Sequence, residues 1–375
     1  MPVYCPMCSG GVACEPRTDE ALLACKSAAQ KVRLEECDYE DLAASSLWQD
    51  DAYLATYHLR ASDISDEASS GAGSLLYRRG YVETGSYLVV VQIFKWVAKN
   101  GDAIGDAAPV LVLHGYNDHT GTFQDVIKAL LVPRTYSVIA FDLPGHGLSS
   151  GVPCSIDDFG QYSDALAHVM RVARTVDPAV FRRPWKAVAH STGCSAIMQF
   201  SQTFLGQPDG EAQLAEHFER LVFVAPLIRF IKWHLSKCGL ILHPILTFVS
   251  ARAPEKRVDE RFKSFETFDA YQSNRVMLDW VRAVYAFDHR VHSFEPIPLR
   301  VFVIQGDADN TVWWQYNMQV IEASSDAPRG LLPNMTKVIV PGATHQLLNT
   351  SDALQDELFP QILAFLNGAP ANPGV

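Results

Sequence analysis

Six short runs of almost wholly apolar residues constrain the fold of this chain more than any other feature. Each run ends at a polar residue or a proline, and they occupy residues 110–113, 138–141, 185–189, 221–225, 299–304 and 337–340. Runs this short and this apolar are typical of strands covered on both faces, as in a parallel sheet. Residues 87–96 are rich in β-branched and aromatic side chains and predict a further strand.

Helical patterns lie between several of these runs. Apolar stripes with helical spacing occur in residues 123–130 and 159–170, and a third helical stretch, residues 196–205, follows Ser191 closely. Alternating strands and helices predict an α/β fold with a mostly parallel central sheet flanked by helices. In such sheets, ligands bind at the carboxyl ends of the strands.

The chain divides into four stretches by composition. Residues 1–73 form an N-terminal extension, which has a helical pattern over residues 20–37 and a Gly/Ser-rich linker over residues 61–73. The α/β core is expected in residues 74–225 and 299–375. Residues 226–298 interrupt the alternation and predict an inserted, mostly helical cap.

Charge and hydropathy exclude several classes of protein. Lys and Arg number 31 against 42 Asp and Glu, which gives a net charge of −11. Nucleic-acid binding requires clustered positive charge, so no nucleic-acid partner is expected. The sequence has neither an apolar run long enough to span a membrane nor a secretory signal at its start, so we expect a cytoplasmic protein.

Five of the eight cysteines fall in the first 37 residues. Cys5 and Cys8 have the spacing of a zinc knuckle or a redox pair, but no second close pair follows. Zinc binding, a disulfide and reduced thiols all remain open, and reduced thiols are the preferred interpretation. The isolated Cys154, Cys194 and Cys238 are expected to be small buried apolar residues.

The sharpest chemical motif is Ala189-His190-Ser191-Thr192-Gly193, which we call the nucleophile turn. It lies between a predicted strand and a predicted helix. A nucleophile on so tight a turn needs very small residues two positions before and after it, and Ala189 and Gly193 meet that need. The turn would expose the hydroxyl of Ser191 and direct the backbone N–H of Thr192 at a developing oxyanion.

Two further residues complete a hydrolytic triad in the order Ser, Asp, His. Asp309 follows the apolar run at residues 299–304, with Asp307 as a near rival, and His345 follows the run at residues 337–340. A serine hydroxyl needs a base to remove its proton, and the base needs an acidic residue to orient it. The three side chains are each predicted at the carboxyl end of a strand.

Residues 114–119 (HGYNDH), which we call the oxyanion loop, follow the run at residues 110–113. The tight exit from that strand would turn the backbone N–H of Tyr116 toward the same oxyanion. His114 and His119 lack the carboxylate–histidine helix pattern of a metal pair, so metal binding is disfavoured. Residues 141–149 lack the lysine of a phosphate-binding loop and are interpreted as a structural turn.

Taken together, these motifs resemble the α/β-hydrolase superfamily, and within it the monoacylglycerol lipase and lysophospholipase branch, also described as serine aminopeptidase-like. The resemblance covers about residues 75–368 and rests on HGYNDH, FDLPGHGLSSG, AHSTG, QGDADNTV and GATHQLLN. It implies Ser191 as nucleophile, His345 as base, Asp309 as its orienting acid, and the N–H groups of Tyr116 and Thr192 as the oxyanion hole. Three positions depart from the family pattern: Ala189, Cys194 and Thr350.

The resemblance implies a serine hydrolase that cleaves carboxylic esters through an acyl-enzyme, on monoacylglycerol- or lysophospholipid-like lipids. Such a reaction needs no metal and no organic cofactor, and its partner is a small acyl ester. The alternatives are a small-ester carboxylesterase, an aminopeptidase, and a non-catalytic binding protein on the same fold. Residues 227–232 also suggest transient contact with a lipid surface, because Arg229 and Lys232 are interspersed with the apolar Leu227, Ile228, Phe230 and Ile231.

Overall fold

We analysed a computed structural model of the chain. The structure describes residues 19–64, 73–98, 107–241, 247–250, 269–322, 330–349 and 351–370. Cys5, Cys8, most of the predicted linker and parts of the predicted cap lie outside these ranges, as do Thr350 and the side chain of Cys238.

A nine-stranded sheet in the order β1-β2-β3-β5-β4-β6-β7-β10-β11 organises the described part of the chain. From β5 to β11 neighbouring strands are parallel, whereas β1, β2 and β3 are antiparallel to their neighbours. The strands are β1 Glu40–Asp41, β2 Ser74–Thr84, β3 Tyr87–Val97, β4 Ala108–Leu113, β5 Tyr136–Phe141, β6 Trp185–His190, β7 Phe218–Val224, β10 Arg300–Gly306 and β11 Met335–Val340, and a separate antiparallel pair comprises β8 Phe248–Ser250 and β9 Arg275–Met277.

Helices cover both faces of this sheet. Within the described residues, two 3₁₀ turns accompany them, Leu34–Glu36 and Thr120–Phe123. The helices are α1 Asp19–Ala29, α2 Ser46–Gln49, α3 Ala52–Thr56, α4 Ala61–Ile64, α5 Gln124–Leu131, α6 Gly160–Val176, α7 Pro178–Phe181, α8 Thr192–Ser201, α9 Gly210–Ala215, α10 Trp233–Ile241, α11 Leu278–Val291, α12 Trp314–Ile321 and α13 Asp352–Leu366. Among the described residues, no helix combines the length and the apolar character needed to cross a membrane.

The alternation of side chains along each strand creates two cores. In β3, Val89 and Val91 pack into one buried cluster with α6, α8 and α11, and Val90 packs into the other with α5 and α13. All six residues of β5 are buried, as expected of a strand covered on both faces. The predicted α/β fold with a mostly parallel sheet is therefore confirmed.

The N-terminal extension forms part of the second core. Its described residues contribute Trp48, Tyr53, Tyr57 and Ile64, among others, to the cluster that contains Val90. The prediction of a linker from residue 61 is wrong for α4, because the apolar side chains of Ala61 and Ile64 are buried in this core.

The helix predicted over residues 20–37 ends at Ala29. Beyond it, Val32 accepts a hydrogen bond from the N–H of Tyr81 at 3.0 Å, and Arg33 forms a bridge with Tyr81. Pairing with the neighbouring strand therefore replaces the helix that the local pattern favours.

Residues 226–298 contain structure that the sequence pattern did not predict. Helices α10 and α11 agree with the expected helical content, but β8 and β9 add a short antiparallel pair. Leu227 and Ile228 are buried, and Arg229 pairs with Asp288 at 2.8 and 2.9 Å. The suggested lipid contact is therefore wrong for these three residues, because a partly buried cation needs a partner and the apolar side chains fill the core.

Candidate active site

Ser191 lies at the carboxyl end of β6, on the turn into α8. Its backbone has φ +50° and ψ −111°, a conformation that residues other than glycine adopt rarely and only where the surrounding structure enforces it. The N–H of Ser191 donates to Val224 O at 2.9 Å, and its carbonyl accepts from Leu227 N at 3.3 Å. Both bonds come from the neighbouring strand and the loop after it, and they hold the strained residue in place.

Close packing around the nucleophile turn requires two glycines. A Cβ on Gly193 would lie 2.6 Å from Leu113 O and 2.8 Å from His114 O, so α8 reaches the end of β4 only because the side chain is absent. A Cβ on Gly115 would lie 2.7 Å from Nδ1 of His190 and 3.1 Å from Cβ of Ser191. The oxyanion loop therefore passes directly beside Ser191.

Asp309 and His345 meet as the sequence pattern predicted. The Nδ1 of His345 donates to Oδ2 of Asp309 at 2.8 Å, and both residues are buried. The other oxygen of Asp309 accepts the N–H groups of Thr311 and Val312 at 2.9 and 3.0 Å. Burial raises the pKa of Asp309, but His345 and these backbone donors outweigh burial and hold the pKa below its usual value.

His190 connects the two halves of the site. Its Nε2–H donates to the backbone carbonyl of His345 at 3.1 Å, and the two rings lie 4.7 Å apart. Burial first, and the neighbouring His345 second, lower the pKa of His190 to about 4. His190 is therefore a neutral ring near neutral pH, and it ties the residue before Ser191 to the loop that carries His345.

Gln305 is a site residue to which the sequence analysis gave no role. It is fully buried in β10, and its Nε2 donates to Oδ2 of Asp309 at 3.1 Å and to Gly306 O at 2.9 Å. The same carboxylate oxygen thus accepts from both Gln305 and His345. The sequence did contain a signal for this role, since Gln305 is a single amide at the end of an apolar strand. A buried polar side chain of this kind needs hydrogen-bond partners close by.

The two backbone donors predicted for an oxyanion hole are those of Tyr116 and Thr192. Among the described residues, no backbone carbonyl accepts a hydrogen bond from the N–H of Tyr116 or of Thr192. Thr192 is the first residue of α8, whose N-terminal N–H groups carry partial positive charge. The ring of Tyr116 packs against Trp280 of α11, with ring centroids 3.8 Å apart and an angle of 33° between the ring planes, which restrains the loop.

His114 and the turn at residues 141–149 hold this loop through hydrogen bonds. His114 donates from Nδ1 to Gly115 O at 2.7 Å and accepts the N–H of Leu143 at Nε2 at 2.9 Å. The carboxylate of Asp142 accepts the N–H groups of Thr120 and Leu148, each at 2.7 Å. Within the described ranges, no three His, Cys, Asp or Glu side chains are grouped so that they could hold a metal ion.

The sheet order and the strained serine at a strand-to-helix turn define an α/β-hydrolase. The family model described as serine aminopeptidase, S33, matches residues 106–352, about two thirds of the chain. The chain therefore belongs to this family, and the resemblance to serine aminopeptidase-like α/β-hydrolases, expected from the motifs, is confirmed.

Individual relatives agree with this assignment. A serine hydrolase-like protein of Danio rerio is 34% identical over 96 residues, which are 26% of this chain and 27% of that protein. The match thus spans about a quarter of the length of that relative.

Two solved structures show the same fold. The Paleococcus ferrophilus monoacylglycerol lipase has a TM-score of 0.54 at 18% identity, over 69% of this chain and 93% of its own. A Saccharomyces cerevisiae monoglyceride lipase variant with a substrate analogue has a TM-score of 0.59 at 15% identity, over 77% and 94%.

Proposed function

We propose that this protein is a serine hydrolase that cleaves carboxylic esters through an acyl-enzyme. Ser191 is the nucleophile, His345 the general base, and Asp309 the acid that orients it. The observation that carries the proposal is the 2.8 Å hydrogen bond between His345 Nδ1 and Asp309 Oδ2, together with a strained serine at a helix N-terminus whose preceding residue, His190, bonds to the backbone of His345. Membership of a serine hydrolase family supports the same assignment.

The reaction has two steps. His345 Nε2 takes the proton of Ser191 as the hydroxyl oxygen bonds to the ester carbonyl carbon, and the resulting oxyanion accepts the N–H groups of Tyr116 and Thr192. The carbon–oxygen bond to the alcohol breaks as the imidazolium of His345 protonates the leaving oxygen. Water then attacks the acyl-enzyme, with His345 again as base, and releases the carboxylic acid and free Ser191.

Monoacylglycerol- or lysophospholipid-like esters are the proposed substrates. Aromatic side chains of the predicted cap cluster next to the oxyanion loop: Trp280 packs against Tyr116 with ring centroids 3.8 Å apart, and Phe230 lies 6.2 Å from Trp280. An aromatic, apolar surface of this kind suits an acyl chain. The names of the structural relatives, two of them lipases of monoacylglycerols, point to the same substrate class.

Contact with a lipid surface remains part of the proposal, but through α10 and the preceding Lys232 in place of residues 227–229. Leu235 and Ile241 of α10 are 65% and 77% exposed, and the exposed Lys232 precedes the helix. Exposed apolar side chains next to a lysine suit the surface of a lipid aggregate.

The test is labelling with a fluorophosphonate probe, run beside hydrolysis assays. Wild type and Ser201→Ala, which changes a buried serine at the far end of α8, should both be labelled, whereas Ser191→Ala should not. Short- and long-chain monoacylglycerols, lysophosphatidylcholine and an aminoacyl anilide are the substrates. Folded wild type that takes no label would refute the mechanism, and cleavage of the anilide alone would favour an aminopeptidase.

A further inference from the structure

We infer that Tyr57 of the N-terminal extension is a positioning residue for the oxyanion loop. It acts through the buried carboxylate of Asp269. We call the cluster of Tyr57, His119 and Asp269 the extension junction. The inference rests on the proposed function, since it assigns the extension a part in the same site.

The carboxylate of Asp269 joins three parts of the chain. Its Oδ1 accepts the hydroxyl of Tyr57 at 3.1 Å and the N–H of Tyr271 at 2.8 Å. Its Oδ2 accepts Nε2–H of His119 at 3.0 Å, and the side chains of His119 and Asp269 are both fully buried. Breaking a bond of this kind leaves a buried polar group unsatisfied, so the arrangement has few alternatives.

The ring of Tyr57 occupies a place made for it. A Cβ on Gly121 would lie 2.7 Å from Cδ2 of Tyr57, so the ring packs directly on the backbone that follows the oxyanion loop. The ring also lies 4.7 Å from that of His119, edge to face. The extension therefore contacts the loop by close packing as well as through the carboxylate.

Hydrogen bonds next to the extension junction link it to the residues that follow Tyr116. The residues after Asp269 bond to the residues after Tyr116: Ser273 N donates to Asn117 Oδ1 at 2.6 Å, and Gln272 Nε2 donates to Asp118 Oδ1 at 3.4 Å. Residues 117–119 are thus held along one side by residues 269–273. A shift of this segment moves the N–H of Tyr116, and misplacement of a catalytic group by about 1 Å can cost about a hundredfold in rate.

Tyr57→Phe tests the inference because it removes one hydroxyl and keeps the ring on Gly121. We expect kcat for a monoacylglycerol to fall about tenfold with KM changed less than about twofold, since a displaced oxyanion donor acts on the transition state. Tyr136→Phe is the matched control: its hydroxyl donates to Asn367 Oδ1 at 2.7 Å, away from the junction, and both constants should stay at wild-type values. Asp269→Asn, which keeps the shape but not the charge, should lower kcat at least as much.

The outcomes separate this inference from the proposed function. If Tyr57→Phe and Asp269→Asn both match Tyr136→Phe in kcat and KM while Ser191→Ala is inactive, the inference is overturned and the mechanism stands. If KM rises instead and kcat holds, Tyr57 serves substrate binding and not the oxyanion loop, which also overturns it. If Ser191→Ala retains the activity, the proposed function itself fails.

Discussion

Replacing Asp51 with alanine measures how firmly the N-terminal extension belongs to the fold. Asp51 precedes α3 and meets Arg79 of β2 through two hydrogen bonds, Nη2 to Oδ2 at 2.5 Å and Nη1 to Oδ1 at 3.2 Å. The two side chains are only 8% and 5% exposed. Asp51 also accepts the N–H of Leu54 at 2.9 Å and so caps α3.

The size of the expected destabilisation follows from the charge of Arg79, which remains buried in the variant. Without Asp51, the guanidinium of Arg79 is buried with no carboxylate, and breaking a buried ion pair in this way costs about 3–5 kcal/mol. Loss of the helix cap alone costs about 0.5–2 kcal/mol, but the two losses share one side chain and do not add. We therefore expect the free energy of unfolding to fall by about 3–5 kcal/mol.

Urea unfolding followed by far-ultraviolet circular dichroism gives this free energy, provided that the transition is two-state. Asp50→Ala is the control, since Asp50 is the preceding residue and is exposed. The double variant Asp51→Leu/Arg79→Met should recover most of the loss, because apolar residues of similar volume often replace a buried pair at little cost. If Asp51→Ala unfolds at the same urea concentration as Asp50→Ala, the extension does not contribute to the core as described.

Two further predictions concern the site and its surroundings. Gly193→Ala places a Cβ 2.6 Å from Leu113 O, so it should lower the free energy of unfolding by about 1–3 kcal/mol and slow fluorophosphonate labelling. Gly206→Ala is the control, because its Cβ would have no atom within 4 Å, and it should change neither quantity. Equal stability and equal labelling rates of the two variants would contradict the packing argument. Burial lowers the pKa of His119, but Asp269 outweighs burial and holds it above the usual 6.5. The ion pair of His119 and Asp269 therefore stabilises the fold fully below about pH 6.5, and this contribution is lost as pH rises through the raised pKa of His119. The difference in stability between wild type and Asp269→Asn should narrow as pH rises above about 6.5. A difference that stays constant as pH rises would show that the ion pair is not its cause.

The inner strands of the parallel part of the sheet could be predicted from the sequence because they are buried on both faces, as all six residues of β5 are. Burial requires these strands to be apolar. In an open parallel sheet, ligand-binding residues follow the carboxyl ends of the strands, and Ser191, Asp309 and His345 lie there. The contact between Asp309 and His345 followed from the same reasoning, since neighbouring parallel strands end at the same edge.

Strand β2 could not be predicted in this way. It contains Arg78 and Arg79, both buried, where an apolar pattern would be expected. Arg78 donates to Leu34 O at 3.0 Å, and Arg79 pairs with Asp51, so both charges depend on partners in the N-terminal extension. A local pattern cannot reveal a partner that lies 44 or 28 residues away.

The same limit applies to the extension junction. His119 and Asp269 are 150 residues apart in the chain, and Tyr57 is 212 residues from Asp269. The sequence around each of the three residues contains no motif that indicates the contact, so only the folded chain brings them together. The contact of Gln305 with Asp309 was easier to predict from the sequence, since the two residues are only four positions apart.

The region that matches the family model begins later in the chain than the folded unit does. The match to the family begins at residue 106, yet β3 pairs with β5 through residues 91–94, and β1 and β2 continue the sheet beyond it. A fragment cut at that limit for expression would leave β5 as a bare edge and uncover the apolar surface that Trp48, Tyr53 and Tyr57 bury. Bare edges of this kind pair with other chains, so such a fragment would aggregate, and the shortest useful piece of this protein must keep the described extension.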